Sequence, residues 1–341
     1  MANVRRLARM IDPFIVLLFA TVGLAALFPA SGRVADGVDD ATVGIIGLLF
    51  FLYGTRLSTS EAMDGLRHWR LHLTIITCTF VVFPLLGLAA RGLVPWLVSD
   101  PLYPGLLFLC LVPSTVQSSI AFTSIARGNV AGAIAAGSFS SLLGVLVTPL
   151  LAAGLIGASG GFSPDTLLAI GGQLLLPFVL GQLLRRWIGG FVRRHRRVLS
   201  LVDRGSVLVV VYAAFSEGMT QGVWGEVSWR RLVALFGVLV VLLAVMLSLT
   251  SYGSRRLGFE RDDRVAIVFA GSKKSLAAGL PMAGVIFQGQ AAMAVLPLMI
   301  FHQLQLIVCA FIARRWARLP APGAREPRPT TAAASQEPAH S

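Results

Sequence analysis

The sequence predicts an all-α membrane protein of about ten transmembrane helices, arranged as two inverted five-helix repeats. Three observations predict it. The 341 residues are 55% hydrophobic and only 13% charged, with a mean hydropathy of +0.77, whereas a soluble domain carries about a quarter charged residues. The apolar residues gather into ten runs, most of them near the ~20 residues that a span requires. The arginines sit in short clusters between those runs, which is the positive-inside pattern of membrane topology. A net charge of +13 would point to nucleic acid in a soluble chain; here topology accounts for it, and no nucleic-acid partner is expected.

In chain order the spans are expected near 12–29, 41–55, 71–94, 104–126, 130–156, 165–186, 204–219, 231–252, 264–287 and 291–313. The first follows Arg5, Arg6 and Arg9, the flank of a signal peptide. Its apolar run is of spanning length and further spans follow, so it is read as a helix that stays. The second and seventh runs are short. With the N-terminus in the cytoplasm, 23 of the 27 arginines fall in cytoplasmic segments, and only Arg33, Arg91, Arg230 and Arg231 fall outside. The opposite orientation or an odd span count destroys this asymmetry. Both termini are therefore expected in the cytoplasm, with the protein in the cell membrane.

A basic loop at 185–204 lies near the middle of the chain, and the glycine-rich bend at 157–165 joins five spans to five. An odd number of spans per half forces the halves into opposite orientation, as in many secondary transporters. The units are then 1–160 and 161–319, followed by a tail, 320–341, rich in Pro, Ala, Ser and Thr and expected to be disordered. Cys78, Cys110 and Cys309 lie far apart inside apolar runs and read as small buried hydrophobes.

Polar side chains deep in a bilayer are costly and usually functional. Two clusters qualify, one in the fourth span of each half. In the first, Pro113 removes a helix hydrogen bond, and Ser114, Thr115, Gln117, Ser118 and Ser119 follow at once. A single serine would bond back to its own helix; five polar residues within six favour a broken helix lining a cavity. In the second, Gly271 and Gly279 with Pro281 loosen the helix around Ser272, Lys273, Lys274 and Ser275.

Lys273 and Lys274 are the only lysines in the chain. Two lysines near mid-membrane cost about 5–7 kcal/mol on the insertion scale, and the Val, Ile, Leu and Phe residues of 265–287 return about 3–5. The segment needs partners. Moving both lysines into the preceding loop would leave only a short span behind them. Lysine, unlike arginine, can shed its proton when buried. If the segment stays helical, consecutive residues point about 100° apart, so the two lysines cannot share a direction. In the last span, His302 and Gln303, with Gln305 nearby, form a weaker candidate proton relay. Glu217 reads as interfacial. The sequence contains no nucleotide-binding motif, zinc-helix motif or nucleophile elbow, so neither a cofactor, an enzyme nor an ATP-driven pump is expected.

At these residues the chain resembles the bile acid:sodium symporter family, over about residues 10–315. The resemblance rests on Pro84 of the third span, on Pro113 to Ser119 with Ala126-Arg127-Gly128-Asn129 beyond, and on the run Gly271 to Pro281, which is similar to the divergent branch with sodium/bile acid cotransporter 7. It implies a panel domain beside a core domain, with helices 4 and 9 crossing as broken helices. It also implies sodium ligands at Ser118 and Ser119, with Gly271 to Ser275 at the second crossing. The chain departs from that pattern. Lys273 and Lys274 stand where sodium-coupled members carry a glutamate and an amide pair, and Thr79 stands in place of a third-span glutamine. Ala133 and Gly137 replace hydroxyl ligands, with Ser138, Ser140 and Ser141 close by. A hard cation prefers oxygen ligands, and lysine repels it.

The expected function is secondary transport of a small organic anion, coupled to sodium, coupled to protons through the lysines, or uncoupled. A non-transporting membrane regulator of ion homeostasis is the alternative.

Overall fold

The computed structural model describes residues 13–56, 68–156, 171–222, 228–287 and 291–318. The N-terminal arginines, the bend at 157–165 and the tail at 320–341 lie outside them. Among the described residues the chain is helical, without a strand. Five helices are long and apolar enough to cross a membrane: 69–93, 130–155, 197–220, 229–256 and 291–317.

The first helices are α1, Pro13–Leu27, and α2, Arg33–Arg56, separated by a reversal in which Gly32 takes a φ of +55°. α2 begins earlier than the apolar run at 41–55 predicts. Its first turns carry Asp36, Asp39 and Asp40, all exposed, so the helix runs on where hydropathy has already fallen. The run expected as the third span comprises α3 (Trp69–Thr77), a π-turn at Cys78–Val82, α4 (Phe83–Ala89) and a closing 3-10 turn at Ala90–Leu93. The fourth is two short helices, α5 (Tyr103–Leu111) and α6 (Gln117–Ile125), and the fifth is α7, Val130–Leu155.

In the second half a π-turn at Gly171–Leu175 leads into α8, Leu176–Arg194, followed by α9, Arg196–Thr220. The basic loop expected at 185–204 is thus a correction. Leucine and arginine are good helix formers, so both helices run on beyond their apolar stretches and meet at His195. α10 spans Trp229–Arg256. The run expected as the ninth span is again divided, into α11 (Arg261–Gly271) and α12 (Leu276–Ile286), and α13 covers Ala291–Ala317.

Packing sorts these helices into two groups. α2 lies along α8, and α1 and α2 along α9, while α3–α7 and α10–α13 pack among themselves. α9 joins the groups by also touching α12 and α13. The α2–α8 crossing is a glycine contact: a Cβ on Gly54 would sit 2.2 Å from the Phe178 carbonyl oxygen, and one on Gly181 2.1 Å from that of Phe51. Only residues without a Cβ let the two backbones approach this closely. Large apolar side chains such as Leu150, Leu183, Ile307 and Phe311 point outward, as a surface solvated by lipid tails requires.

Candidate functional site

The site is built by two interrupted helices that complete each other's hydrogen bonds. In the fourth span the chain is extended at Val112 and helical again from Gln117. Pro113 has no N–H, and its ring fills the space beside Gly144, where a Cβ would lie 2.6 Å away. In the ninth span the helix stops at Gly271 and restarts at Leu276, capped by the Ser275 hydroxyl. The two breaks meet directly, because the Ser275 N–H donates to the Pro113 carbonyl at 2.8 Å.

The breaks are reciprocal. An α-helix would spend the Ser114 N–H on the Cys110 carbonyl, but that N–H donates instead to Ser140 Oγ of α7 at 2.9 Å. Cys110 O is freed, and Lys274 Nζ fills it at 2.8 Å. The Lys274 N–H would likewise serve Ala270 O, but it donates to Gln305 Oε1 of α13 at 2.8 Å. Ala270 O is freed, and the Ser114 hydroxyl donates to it. Ser114 and Lys274 thus hold corresponding places, one braced by α7 and the other by α13, and each satisfying the other's broken span.

Lys274 is fully buried and its ammonium donates to three carbonyls, those of Thr79, Cys110 and Val112, at 2.8 Å each. The Phe83 ring lies 4.2 Å from Nζ. Local sequence explains why Thr79 O is available. In the π-turn the Phe83 N–H bonds to Cys78 O rather than to Thr79 O. The next residue, Pro84, has no N–H to offer.

Lys273, equally buried, points elsewhere. Its Nζ donates to Ser118 Oγ at 3.1 Å and lies 4.5 Å from the centre of the Phe122 ring. From Ser118 a chain of hydroxyls continues to Thr115 (2.9 Å), to Ser119 (3.0 Å) and to the Phe269 carbonyl (3.0 Å). The Gln305 amide donates to Lys274 O at 2.8 Å and contacts His302 Nδ1 at 2.9 Å.

Beside this crossing lies a cavity of about 610 Å³. One wall comes from α6, α7, α12 and α13, with Thr115, Gln117, Ser118, Ser275 and His302 among its residues. The opposite wall comes from α1, α2, α8 and α9, and carries Tyr53, Arg56, Asp203 and Arg204. Arg56 and Asp203 form an ion pair across α2 and α9. The remaining lining is mostly apolar, including Phe14, Phe122, Phe178 and Met282.

The structure therefore brings together Pro113, Ser114, Thr115, Gln117, Ser118, Ser119, Gly271, Ser272, Lys273, Lys274 and Ser275. It sorts them into cavity-lining hydroxyl and amide groups and a buried layer behind. Gly271 is held against Thr250, and the Ser272 hydroxyl bonds its own helix at Val268 O. His302 reaches the cavity, whereas Gln303 does not, and its Nε2 is buried without a partner. Sequence reasoning missed Arg56, Asp203 and Arg204. α9, the helix of the run expected as the seventh span, begins at Arg196 rather than 204, which carries Asp203 and Arg204 inside it. The available signal was an aspartate at the edge of an apolar run.

Two discontinuous helices that meet beside a cavity, in a body whose described residues are helical and include five helices able to cross a membrane, are the arrangement common to membrane transporters. Residues 12–318 match the SBF-like CPA transporter family, and the chain belongs to that family. It is 54% identical over 310 residues to an uncharacterised protein of Pseudomonas aeruginosa, covering 90% of this chain and 93% of the relative. It is 47% identical over 315 residues to YfeH, a candidate symporter of Escherichia coli, covering 92% and 95%. It is 30% identical over 331 residues to sodium/bile acid cotransporter 7 of Mus musculus, covering 93% and 96%. The resemblance drawn from the two polar clusters is thereby upheld, and with it membrane transport rather than enzymatic catalysis.

Proposed function

We propose that this chain is a ten-span secondary transporter of an amphipathic organic anion in the cytoplasmic membrane. In this reading residues 1–160 and 161–319 are its two inverted repeats, both termini are cytoplasmic, and the lysine ammonium groups occupy the place of coupling sodium. The observation that carries it is Lys274 Nζ held by three carbonyl oxygens from two spans. That oxygen cage suits a small cation, and a tethered ammonium fills it. Reciprocity between Ser114 and Lys274 supports the repeat, as do the matching contacts of α1 with α9 and of α2 with α8. The names of the relatives support a transported solute with a coupling ion.

The cavity supports the substrate class. Arg56, Arg204 and His302 offer cationic and hydrogen-bonding groups against the single carboxylate of Asp203, while Phe14, Phe178, Leu142 and Met282 offer an apolar bed. Its volume lies in the usual range of about 300–1,000 Å³ for small-molecule sites.

The test is uptake of radiolabelled organic anions, with taurocholate as first probe, into proteoliposomes with sodium or potassium outside. Uptake that persists in potassium is expected. Uptake that requires sodium and survives methionine at both lysines would return the protein to sodium coupling. No flux under any gradient would favour a non-transporting regulator.

A further inference from the structure

We propose that the two lysines divide the work of coupling: Lys274 is a fixed internal cation that ties the two breaks together, while Lys273 exchanges a proton with the cavity through the Ser118 hydroxyl. The inference rests on the transporter reading and assigns that site its coupling element.

The two surroundings differ in the chemistry they tolerate. All three N–H bonds of the Lys274 ammonium are directed at carbonyl oxygens, and carbonyls only accept. A neutral amine has two N–H bonds and a lone pair, so one carbonyl would face that lone pair with nothing between them. None of Thr79, Cys110 and Val112 lines the cavity, so among the described residues a proton leaving Nζ meets carbonyls as its hydrogen-bond partners and no cavity group. The titratable side chains facing Lys274 are the thiols of Cys78 and Cys110, and no carboxylate faces it among the described residues.

Lys273 has the opposite setting. Its polar partner is a hydroxyl, which can accept from an ammonium or donate to an amine. The neighbouring Phe122 and Phe269 rings, 4.5 and 6.0 Å from Nζ, favour the cation without fixing its donors. The titratable group facing it from α13 is Cys309. Across the cavity lie Arg56, Asp203 and Arg204, with His302 on the near side.

The hydroxyl chain has one direction. Lys273 donates to Ser118, Ser118 to Thr115, Thr115 to Ser119, and Ser119 to the Phe269 carbonyl. Ser118 and Thr115 both line the cavity. In the exchange step the Ser118 hydroxyl turns from Thr115 towards the cavity that it lines, and Nζ gives a proton to Ser118 Oγ as the hydroxyl's own proton passes to a base in the cavity solvent. One N–H bond breaks and one solvent O–H bond forms. Nζ is left as a neutral amine and the hydroxyl is restored. An anion in the cavity meets a cationic wall before this step and a neutral one after it.

Because the chain has only two lysines, selective lysine labelling yields two side-chain resonances, assigned with Lys273→Met. The titration in lipid nanodiscs needs no substrate. Between about pH 5 and about pH 10, a window ending near the ordinary lysine value, the Lys273 resonance should move first, by at least one pH unit, and that of Lys274 last or not at all. Coincident titration, Lys274 moving first, or a Lys273 signal that never moves overturns the division. Ser118→Ala should slow proton exchange at Lys273, and an unchanged exchange rate overturns the route. In taurocholate uptake, Lys273→Arg should abolish pH dependence, because arginine keeps its proton. If Lys273 titrates as expected but no flux is seen with any probe, the transporter reading fails rather than the assignment.

Discussion

Gln305 reads the backbone of Lys274 with both ends of its amide: Oε1 accepts the Lys274 N–H and Nε2 donates to the Lys274 carbonyl, each at 2.8 Å. One side chain from α13 thereby replaces the helical partners that the break at 272–275 removes. Gln305→Leu leaves a buried donor and a buried acceptor unpaired, each costing about 1–3 kcal/mol. The purified variant should unfold at a clearly lower temperature. Gln305→Glu keeps the acceptor but loses the donor, and should fall between the variant and the parent. Equal melting of all three would remove Gln305 from this role.

The Gly54–Gly181 crossing sets a second expectation. Gly54→Ala places a methyl group 2.2 Å from the Phe178 carbonyl oxygen, and Gly181→Ala one 2.1 Å from that of Phe51. Either should separate α2 from α8 at a cost of about 1–3 kcal/mol or more. Gly190 of α8 has nothing within 4 Å of its Cβ position, so Gly190→Ala should be neutral or stabilising by up to about 1 kcal/mol. Thermal unfolding in one detergent compares all three, and equal shifts would contradict the close crossing.

The Arg56–Asp203 pair governs charge in the cavity. Arg56→Gln leaves the Asp203 carboxylate facing an incoming anion and should weaken taurocholate uptake at least about tenfold, the effect of losing roughly 1.4 kcal/mol. Asp203→Asn releases Arg56 and should preserve or tighten apparent affinity. A weaker affinity in Asp203→Asn than in Arg56→Gln would show that the carboxylate, not the guanidinium, serves the substrate.

Topology is open to a direct check. Reporter fusions after residue 195, where α8 meets α9, and after residue 320 should both report a cytoplasmic position. A periplasmic signal from either would reverse or break the ten-span arrangement.

Much of this site was legible in the residues themselves. Pro113 and its five polar followers, and two lone lysines among glycines, announce helices that cannot be continuous in lipid. What composition could not give is direction. Lys273 and Lys274 are adjacent, yet one reaches Ser118 of α6 and the other Thr79 of the third span, because the helix is interrupted between Gly271 and Leu276, which releases them from helical spacing. The Arg56–Asp203 contact joins residues 147 apart. It stayed hidden because the apolar run of the seventh span begins after Asp203, while its helix begins before it. Hydropathy marks where lipid starts and says little about where hydrogen bonding stops.

The cage around Lys274 also carries a schedule. Its three acceptors, at Thr79, Cys110 and Val112, are synthesised and threaded into the bilayer well before the lysines leave the ribosome. The segment least able to enter lipid alone arrives when a receptacle for its charge already exists, and Gln305 follows to close it. A circularly permuted chain that began with the second half would reverse that order, delivering two ammonium groups to a membrane that holds nothing to receive them.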